Sequence, residues 1–264
     1  MLPTAALLQT LNRAAEQLWQ QLSPSTEDLS VEVLDQVDST NDALMRRVRS
    51  GQPIQPTLLT AVEQTSGRGR RGRSWVAAPG EALCFSYLRP WPLHVSLEGL
   101  SVSVGLALAE AMHAEVRIKW PNDWWWRGRK LGGMLIESAR GPWGQALVVG
   151  VGINLRAPAL MPGHGGVEPA GLCDIDAQLS GDPGHWWSVL ANGLHHELER
   201  FIQRGLGPRL SALASRDALL DQSVVLSDGT TGTARGINAS GALQIQTASG
   251  LQSVISHEVS LRLA

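Results

Sequence analysis

Gly67-Arg68-Gly69-Arg70-Arg71-Gly72-Arg73-Ser74-Trp75 sets four arginines among three glycines and closes on an indole. Its opening spells Gly-x-Gly-x-x-Gly, which in a dinucleotide-binding fold leads from a strand directly into a helix. Here Leu58-Leu59-Thr60-Ala61-Val62 does read as a strand before it. On its other side, Ser74 to Gly80 is turn-rich and hands over to a second strand, Leu83 to Leu88. The nucleotide-fold fingerprint is therefore rejected, and the unit is strand, loop, strand. Glycine lets backbone N–H groups approach a ligand, and guanidinium forks match phosphate or carboxylate oxygens, so the loop reads as an anion site that folds down over its ligand.

The 264 residues carry a formal charge of −2 and are 43% hydrophobic, enough for a substantial core and too acidic overall for a protein that coats nucleic acid. Only Cys84 and Cys173 occur, without neighbours at metal-ligand spacing, so both are expected as free thiols. No stretch has the length of uncharged apolar sequence that spans a bilayer, and the N-terminus lacks a signal-peptide pattern, which points to a cytoplasmic protein with no membrane partner.

Upstream of the loop, Leu7, Leu8, Leu11, Ala14, Ala15, Leu18, Trp19 and Leu22 recur at helical spacing, and Val31 to Leu34 reads as a strand. One helix followed by a strand is not a helix-turn-helix module, so no DNA binding is expected. Asp38-Ser39-Thr40-Asn41 then opens a helix through Val48, an ordinary N-cap or an anion-binding helix start.

Downstream, Leu97 to Met112 predicts a second long helix, and Val116 to Asp123 a strand broken at Pro121 so that Asn122 and Asp123 turn outward. Trp124 to Glu137 reads as a hairpin whose second strand starts at Lys130, and Leu131 to Ser138 is a candidate sheet edge. Ala146 to Leu155 is apolar on both faces, as in the middle of a sheet, with Gly150 and Gly152 marking close approach by a ligand or another backbone. The Gly- and Pro-rich segment 156–184 reads as a mobile flap. A third helix follows from Trp187 to Ile202, with His195 and His196 expected on its polar side. Beyond Leu220, four short strands separated by Ser227-Asp228-Gly229, Asn238 to Gly241 and Ala248-Ser249-Gly250 predict a small SH3-like β-barrel.

Each motif is weak alone. Their ordered set, however, closely resembles the biotin protein ligases: Asp38 to Asn41, Glu63-Gln64 before the arginine loop, Lys119-Trp120-Pro121-Asn122-Asp123, Lys130-Leu131-Gly132-Gly133-Met134-Leu135-Ile136-Glu137, and Gly150-Val151-Gly152-Ile153-Asn154. Ser256 to Arg262 is similar to the family's closing segment. The resemblance implies an α+β protein: residues 1–219 a mixed-sheet catalytic domain of the class II aminoacyl-tRNA-synthetase-like type, and residues 220–264 the SH3-like domain.

It further implies activation of biotin by ATP with Mg²⁺ to biotinyl-5′-AMP, then transfer to one lysine of a biotin carboxyl carrier domain of a carboxylase. By the same resemblance the catalytic residues are Lys130, Arg68 and Asp123, the last also tied to Mg²⁺. Ser39, Thr40, Asn41, Gln64, Gly67, Arg68, Lys130, Gly133 and Gly152 are assigned to biotin. Arg68, Arg70, Arg71, Arg73, Trp75, Asn122, Lys130, Asn154 and Arg262 are assigned to ATP or the adenylate. No repressor activity is expected, and a homodimer through the candidate edge strand stays open. Two rivals stay open as well: a lipoate or octanoate ligase, which shares the fold but needs a long apolar slot, and a single-strand nucleic-acid binder using arginines and some of the ten tryptophans.

Overall fold

A computed structural model describes residues 3–158, 167–176, 179, 181–255 and 262–263. Helix α1 (Thr4–Leu22) buries Leu7, Leu11, Ala14, Leu18 and Leu22 as one stripe, as the three-and-four spacing predicts. Seven strands follow: β1 (Ser30–Val37), β2 (Thr57–Gln64), β3 (Ala82–Trp91), β4 (Arg117–Lys119), β5 (Asp123–Trp126), β6 (Arg129–Gly141) and β7 (Gly144–Asn154). They form one mixed sheet in the order β1-β2-β3-β7-β6-β5-β4, parallel only between β1 and β2. The doubly apolar strand β7 thus lies at its centre.

Because side chains alternate along a strand, the register assigns each residue a face. Phe85, Val151 and Met134 align across β3, β7 and β6, as do Tyr87, Val149 and Ile136. This face packs into the main core with α1, α3 (Leu100–Met112) and α5 (Pro183–Arg204). The opposite face carries Leu88 and Val148 at one end, where Leu44, Met45 and Val48 of α2 (Thr40–Arg49) cover it in a separate small core. At the other end the aligned residues are Cys84, Gly152 and Gly133, and among the described residues no helix covers them.

A short helix α4 (Leu172–Ile175) precedes α5, and α6 (Leu210–Arg216) leads into a second sheet. Strands β8 (Ser223–Val225), β9 (Thr231–Ile237), β10 (Leu243–Thr247), β11 (Gly250–Val254) and β12 (Arg262–Leu263) are antiparallel in the order β11-β10-β9-β8-β12. Turn glycines Gly229 and Gly241 have φ of 88° and 81°, which explains the residue type at those corners. The sheet's Val224, Ala234, Leu243 and Ile245 share the main core, and Gly241 O accepts the Trp120 indole N–H at 2.9 Å.

Three expectations change. Gly132 and Gly133 are no edge: they lie between β5 and β7, and beyond them β6 is paired with β7 alone. The reason is length, since β5 has four residues against thirteen in β6. Part of the expected flap is strapped down: Lys130 N–H donates to Glu168 O at 2.9 Å and Ala170 N–H to Lys130 O at 2.8 Å. Within that segment, 159–166, 177–178 and 180 lie outside the described residues, as do 256–261 of the closing segment.

His195 is the third. It is 2% exposed, on the buried side of α5, with Nδ1 3.2 Å from the Tyr87 hydroxyl; only His196 faces out. Burial lowers its pKa to about 4, with the Glu199 carboxylate opposing and His196 and Arg89 adding to the fall. The folded protein therefore holds a neutral imidazole that the unfolded chain would protonate below about 6.5. Its contribution to stability is present above that pH and is lost as pH falls toward 4, on the order of 2 kcal/mol. Urea midpoints at pH 7 and pH 4.5 should show this acid-side loss in the wild type and a correspondingly smaller one in His195→Gln.

Candidate active site

The end of the sheet that no helix covers is shaped by its glycines, over which other side chains lie. Gly133 and Gly152 are paired across β6 and β7. A Cβ on Gly152 would lie 2.9 Å from the Trp75 indole, and one on Gly133 would lie 2.7 Å from Asp123 Oδ1 and 3.7 Å from Lys130 Nζ. The indole and the Lys130–Asp123 pair therefore stand side by side over neighbouring strands, about 5 Å apart in the sheet. Gly150 serves a different purpose: a Cβ there would overlap Asn41 Oδ1. Both β7 glycines thus receive the protein's own side chains, where close approach of a ligand or backbone was expected.

Ser39, Thr40 and Asn41 are all buried. Ser39 caps α2 by accepting from Asp42 N–H at 3.4 Å, and Thr40 donates to Gln64 Oε1 from its N–H at 2.8 Å and its hydroxyl at 3.1 Å. Asn41 donates to Leu135 O at 3.2 Å and Glu137 Oε2 at 3.0 Å, while its Oδ1 accepts from Ser86 Oγ at 2.6 Å. These residues bolt the start of α2 to β2, β3 and β6. Asn41's amide is fully used within the protein.

The arginine loop is a narrow ribbon. Gly69 N–H donates to Arg73 O at 2.7 Å and Trp75 N–H to Gly67 O at 2.8 Å, while Arg71 and Gly72 turn the chain with φ of 59° and 70°. Gly67 has no room for a Cβ beside the Trp75 carbonyl. On this ribbon Arg68 and Arg70 reach different partners. Arg68 pairs with Asp42 of α2 and lies 3.6 Å from Glu137 of β6. Arg70 donates to Asn122 Oδ1 at 2.9 Å, and burial depresses its pKa, with Arg71 adding and Asp123 opposing. The two arginines expected to act from one loop thus divide: Arg70 reaches the corner that holds Lys130, and Arg68 braces the loop against α2 and β6.

That corner is built around the cis Trp120-Pro121 peptide. Asn122 exchanges two bonds with Met134, its Nδ2 donating to Met134 O at 2.8 Å and its carbonyl accepting from Met134 N–H at 3.0 Å. Asp123, on the next strand position, accepts from Lys130 Nζ at 2.8 Å. Asn154 donates to Ala170 O at 3.1 Å and so holds the 167–170 strap beside Lys130. Arg73 is exposed, and its charge bears on Arg70 and on Lys119. Arg262 lies in β12, paired with Val225, away from the loop's own sheet. Cys84 lies beneath Trp75 in a small pocket with Ala61 and Ala82; burial pushes its thiol up to about 12, the Trp75 indole opposing, so it stays protonated.

Asp42, Glu137 and Lys119 belong to the network although sequence reasoning assigned them no role. Asp42 in a first helical turn reads as a complement to the helix dipole, and the other two sat inside motifs without a stated task. Register and packing, which bring α2, β4 and β6 to one place, supply what the sequence lacked.

Closely approached glycines, a basic ribbon and a lysine–aspartate corner make a cationic candidate site whose chemistry suits an anion. Residues 33–154 match the Biotin/lipoate A/B protein ligase family, and residues 220–262 match the biotin protein ligase C-terminal domain. The chain is 34% identical over 248 residues to the bifunctional ligase/repressor BirA of Escherichia coli, covering 89% of this chain and 75% of that protein. It is 34% identical over 241 residues to the biotin--[acetyl-CoA-carboxylase] ligase of Paracoccus denitrificans, covering 86% of this chain and 98% of the relative. The Aquifex aeolicus biotin protein ligase, solved with biotin and ATP, superposes with a TM-score of 0.76 at 28% identity, over 89% of this chain and 99% of that one. The chain belongs to the biotin protein ligase family, and its activity is ATP-dependent ligation of biotin to protein.

Proposed function

We propose that ligation runs in two steps in the groove between Trp75 and the Lys130–Asp123 pair, the observation that carries the reading being their position over Gly152 and Gly133. In the first, a biotin carboxylate oxygen attacks the α-phosphorus of ATP. The bond to the bridging oxygen breaks, and its electron pair leaves with pyrophosphate. Biotinyl-5′-AMP remains. Two anions must meet here, so Lys130 and Arg70 neutralise charge developing on the α-phosphate, while Arg68, through Asp42 and Glu137, keeps the ribbon over the biotin groove. Trp75 covers the intermediate and keeps water from the anhydride. Ser39, Thr40, Asn41, Gln64 and Gly67 shape the biotin pocket; Arg71, Asn154 and Arg262 are assigned to the adenylate.

In the second step the neutral amine of a carrier-domain lysine attacks the acyl carbon, AMP leaves, and the amine nitrogen releases a proton. On this reading Asp123 orients that amine. Mg²⁺ commonly sits on one or two carboxylates plus substrate phosphates, and Asp123, whose Oδ1 takes Lys130, is the carboxylate at this corner, while the Asn122 amide is engaged by Arg70 and Met134. Bound there, the ion would supply charge neutralisation on the phosphates. The second sheet, from residue 220, we read as an SH3-like domain. We assign α1 no role with DNA, since its apolar stripe is used inside the core. We place the protein in the cytoplasm, in keeping with its two free thiols, and assign any pairing of two copies to the outer side of β6 beyond Met134.

Mass spectrometry of a biotin carboxyl carrier domain after incubation with the full-length protein, biotin and MgATP should show one added biotin. A carrier modified by lipoate or octanoate in place of biotin would reverse the assignment.

A further inference from the structure

Lysine is among the commonest residues of soluble proteins, yet of the 22 lysines and arginines in this chain only Lys119 and Lys130 are lysines. Both stand inside the candidate site. Lys130 donates to Asp123 at 2.8 Å, and Lys119 is half-buried, its Nζ 4.3 Å from the centroid of the Trp125 ring. Everywhere else the chain carries its positive charge on arginine, at exposed positions that include Arg13, Arg127, Arg140, Arg204 and Arg235. Some ion pairs do call for arginine: Arg46 meets Asp38, and Arg47 meets Glu32, each through two nitrogens. Others do not. Arg49 and Arg204 are exposed in or beside the last turns of α2 and α5, where a helix end asks only for positive charge, which lysine supplies equally. Arg127, exposed at the turn between β5 and β6, pairs with Glu115 at 3.2 Å, again a contact open to lysine. Folding thus does not require arginine at all of these positions.

We propose that the arginine-only exterior keeps the enzyme from acylating itself, so that the carrier lysine meets the activated biotin without competition from the enzyme's own side chains. The inference rests on the two-step reading of ligation. In the transfer step a neutral amine nitrogen attacks the acyl carbon of the mixed anhydride, the bond from that carbon to the phosphate oxygen breaks, AMP leaves with the electron pair, and the nitrogen releases a proton. Any accessible lysine can serve as that amine. One fixed on the enzyme near the groove would act at an effective concentration on the order of mM, above that of a carrier domain met by diffusion at micromolar levels. Arginine removes this competitor and keeps the charge, because its guanidinium stays protonated in folded proteins. Arg127 is the position where the exchange matters most, since it lies about 10 Å of extended chain from Lys130.

The test is incubation of the full-length wild type, Arg127→Lys and Arg49→Lys with biotin and MgATP in the absence of a carrier domain, followed by peptide mapping with mass spectrometry. Pyrophosphate release is measured on the same samples and should be alike in all three. The wild type should carry no biotin on Lys119 or Lys130. Both variants should acquire biotin at the substituted position, at least about 10-fold above any found on the wild-type lysines. Biotin on Lys119 or Lys130 of the wild type overturns the inference. So does its absence from both substituted positions while pyrophosphate is released, because retention of the intermediate, and not the missing amines, would then protect the enzyme. Absence of biotin-dependent pyrophosphate release in the wild type would instead remove the two-step reading, and this inference with it.

Discussion

Lys130→Ala should lose adenylate synthesis by about 10³-fold while the protein stays folded, an effect of about 4 kcal/mol on the transition state. Lys130 stands at the start of β6, its side chain 32% exposed, and its hydrogen bond is to Asp123, whose side chain is 22% exposed. Removing it opens no core cavity, and a partly exposed ion pair of this kind contributes at most about 1 kcal/mol to stability. On the proposed two-step reading, the lysine's value is realised when a carboxylate and an α-phosphate, both negative, are brought together beside it. Arginine is a poor replacement, because its planar fork cannot take the place of a compact ammonium at the Asp123 carboxylate. Measurement is by pyrophosphate release at saturating biotin and ATP, with thermal unfolding run on the same samples. A variant that releases pyrophosphate at the wild-type rate refutes the role.

Gly150→Val should destabilise the fold by about 4 kcal/mol, through overpacking and through the hydrogen bonds it breaks. A first side-chain carbon at this position overlaps Asn41 Oδ1. Asn41 has no vacant direction in which to retreat, being held by Ser86, Leu135 and Glu137. Displacing it leaves buried polar groups of β3 and β6 without partners and lifts the first turn of α2, which carries Asp42 and through it Arg68. Stability and biotin binding should therefore fall together. Denaturant midpoints compared with Gly141→Val, at the exposed end of β6 where a Cβ meets nothing, separate this clash from a general effect of losing glycine. Equal midpoints for the two variants would contradict the packing account.

The secondary structure was legible because local patterns carry it. The stripe of α1, the doubly apolar run of β7 and the turn glycines of the second sheet each announce themselves through period or backbone conformation. The chemistry of the site was legible in part: the glycines, the basic ribbon and Lys130 are local features with chemical meaning of their own. His195 was misplaced because α5 is buried on a wider arc than its apolar residues mark, with Tyr87 receiving the imidazole. The edge was misplaced at Gly132 and Gly133 because strand length, not strand composition, decides where pairing stops.

By itself the sequence determined the strand–loop–strand unit, the rejection of a dinucleotide fold, the family and which arginines and lysines are available near the loop. Tertiary structure alone decided their division of labour. Arg68 and Arg70 are two positions apart on one ribbon, yet one meets Asp42 and Glu137 and the other meets Asn122. Lys119 and Lys130 come to flank Asp123 only because β4, β5 and β6 pair in that order. Sequence spacing states which side chains are available; which of them share a charge depends on register and sheet order, set by burial on the opposite face of the sheet.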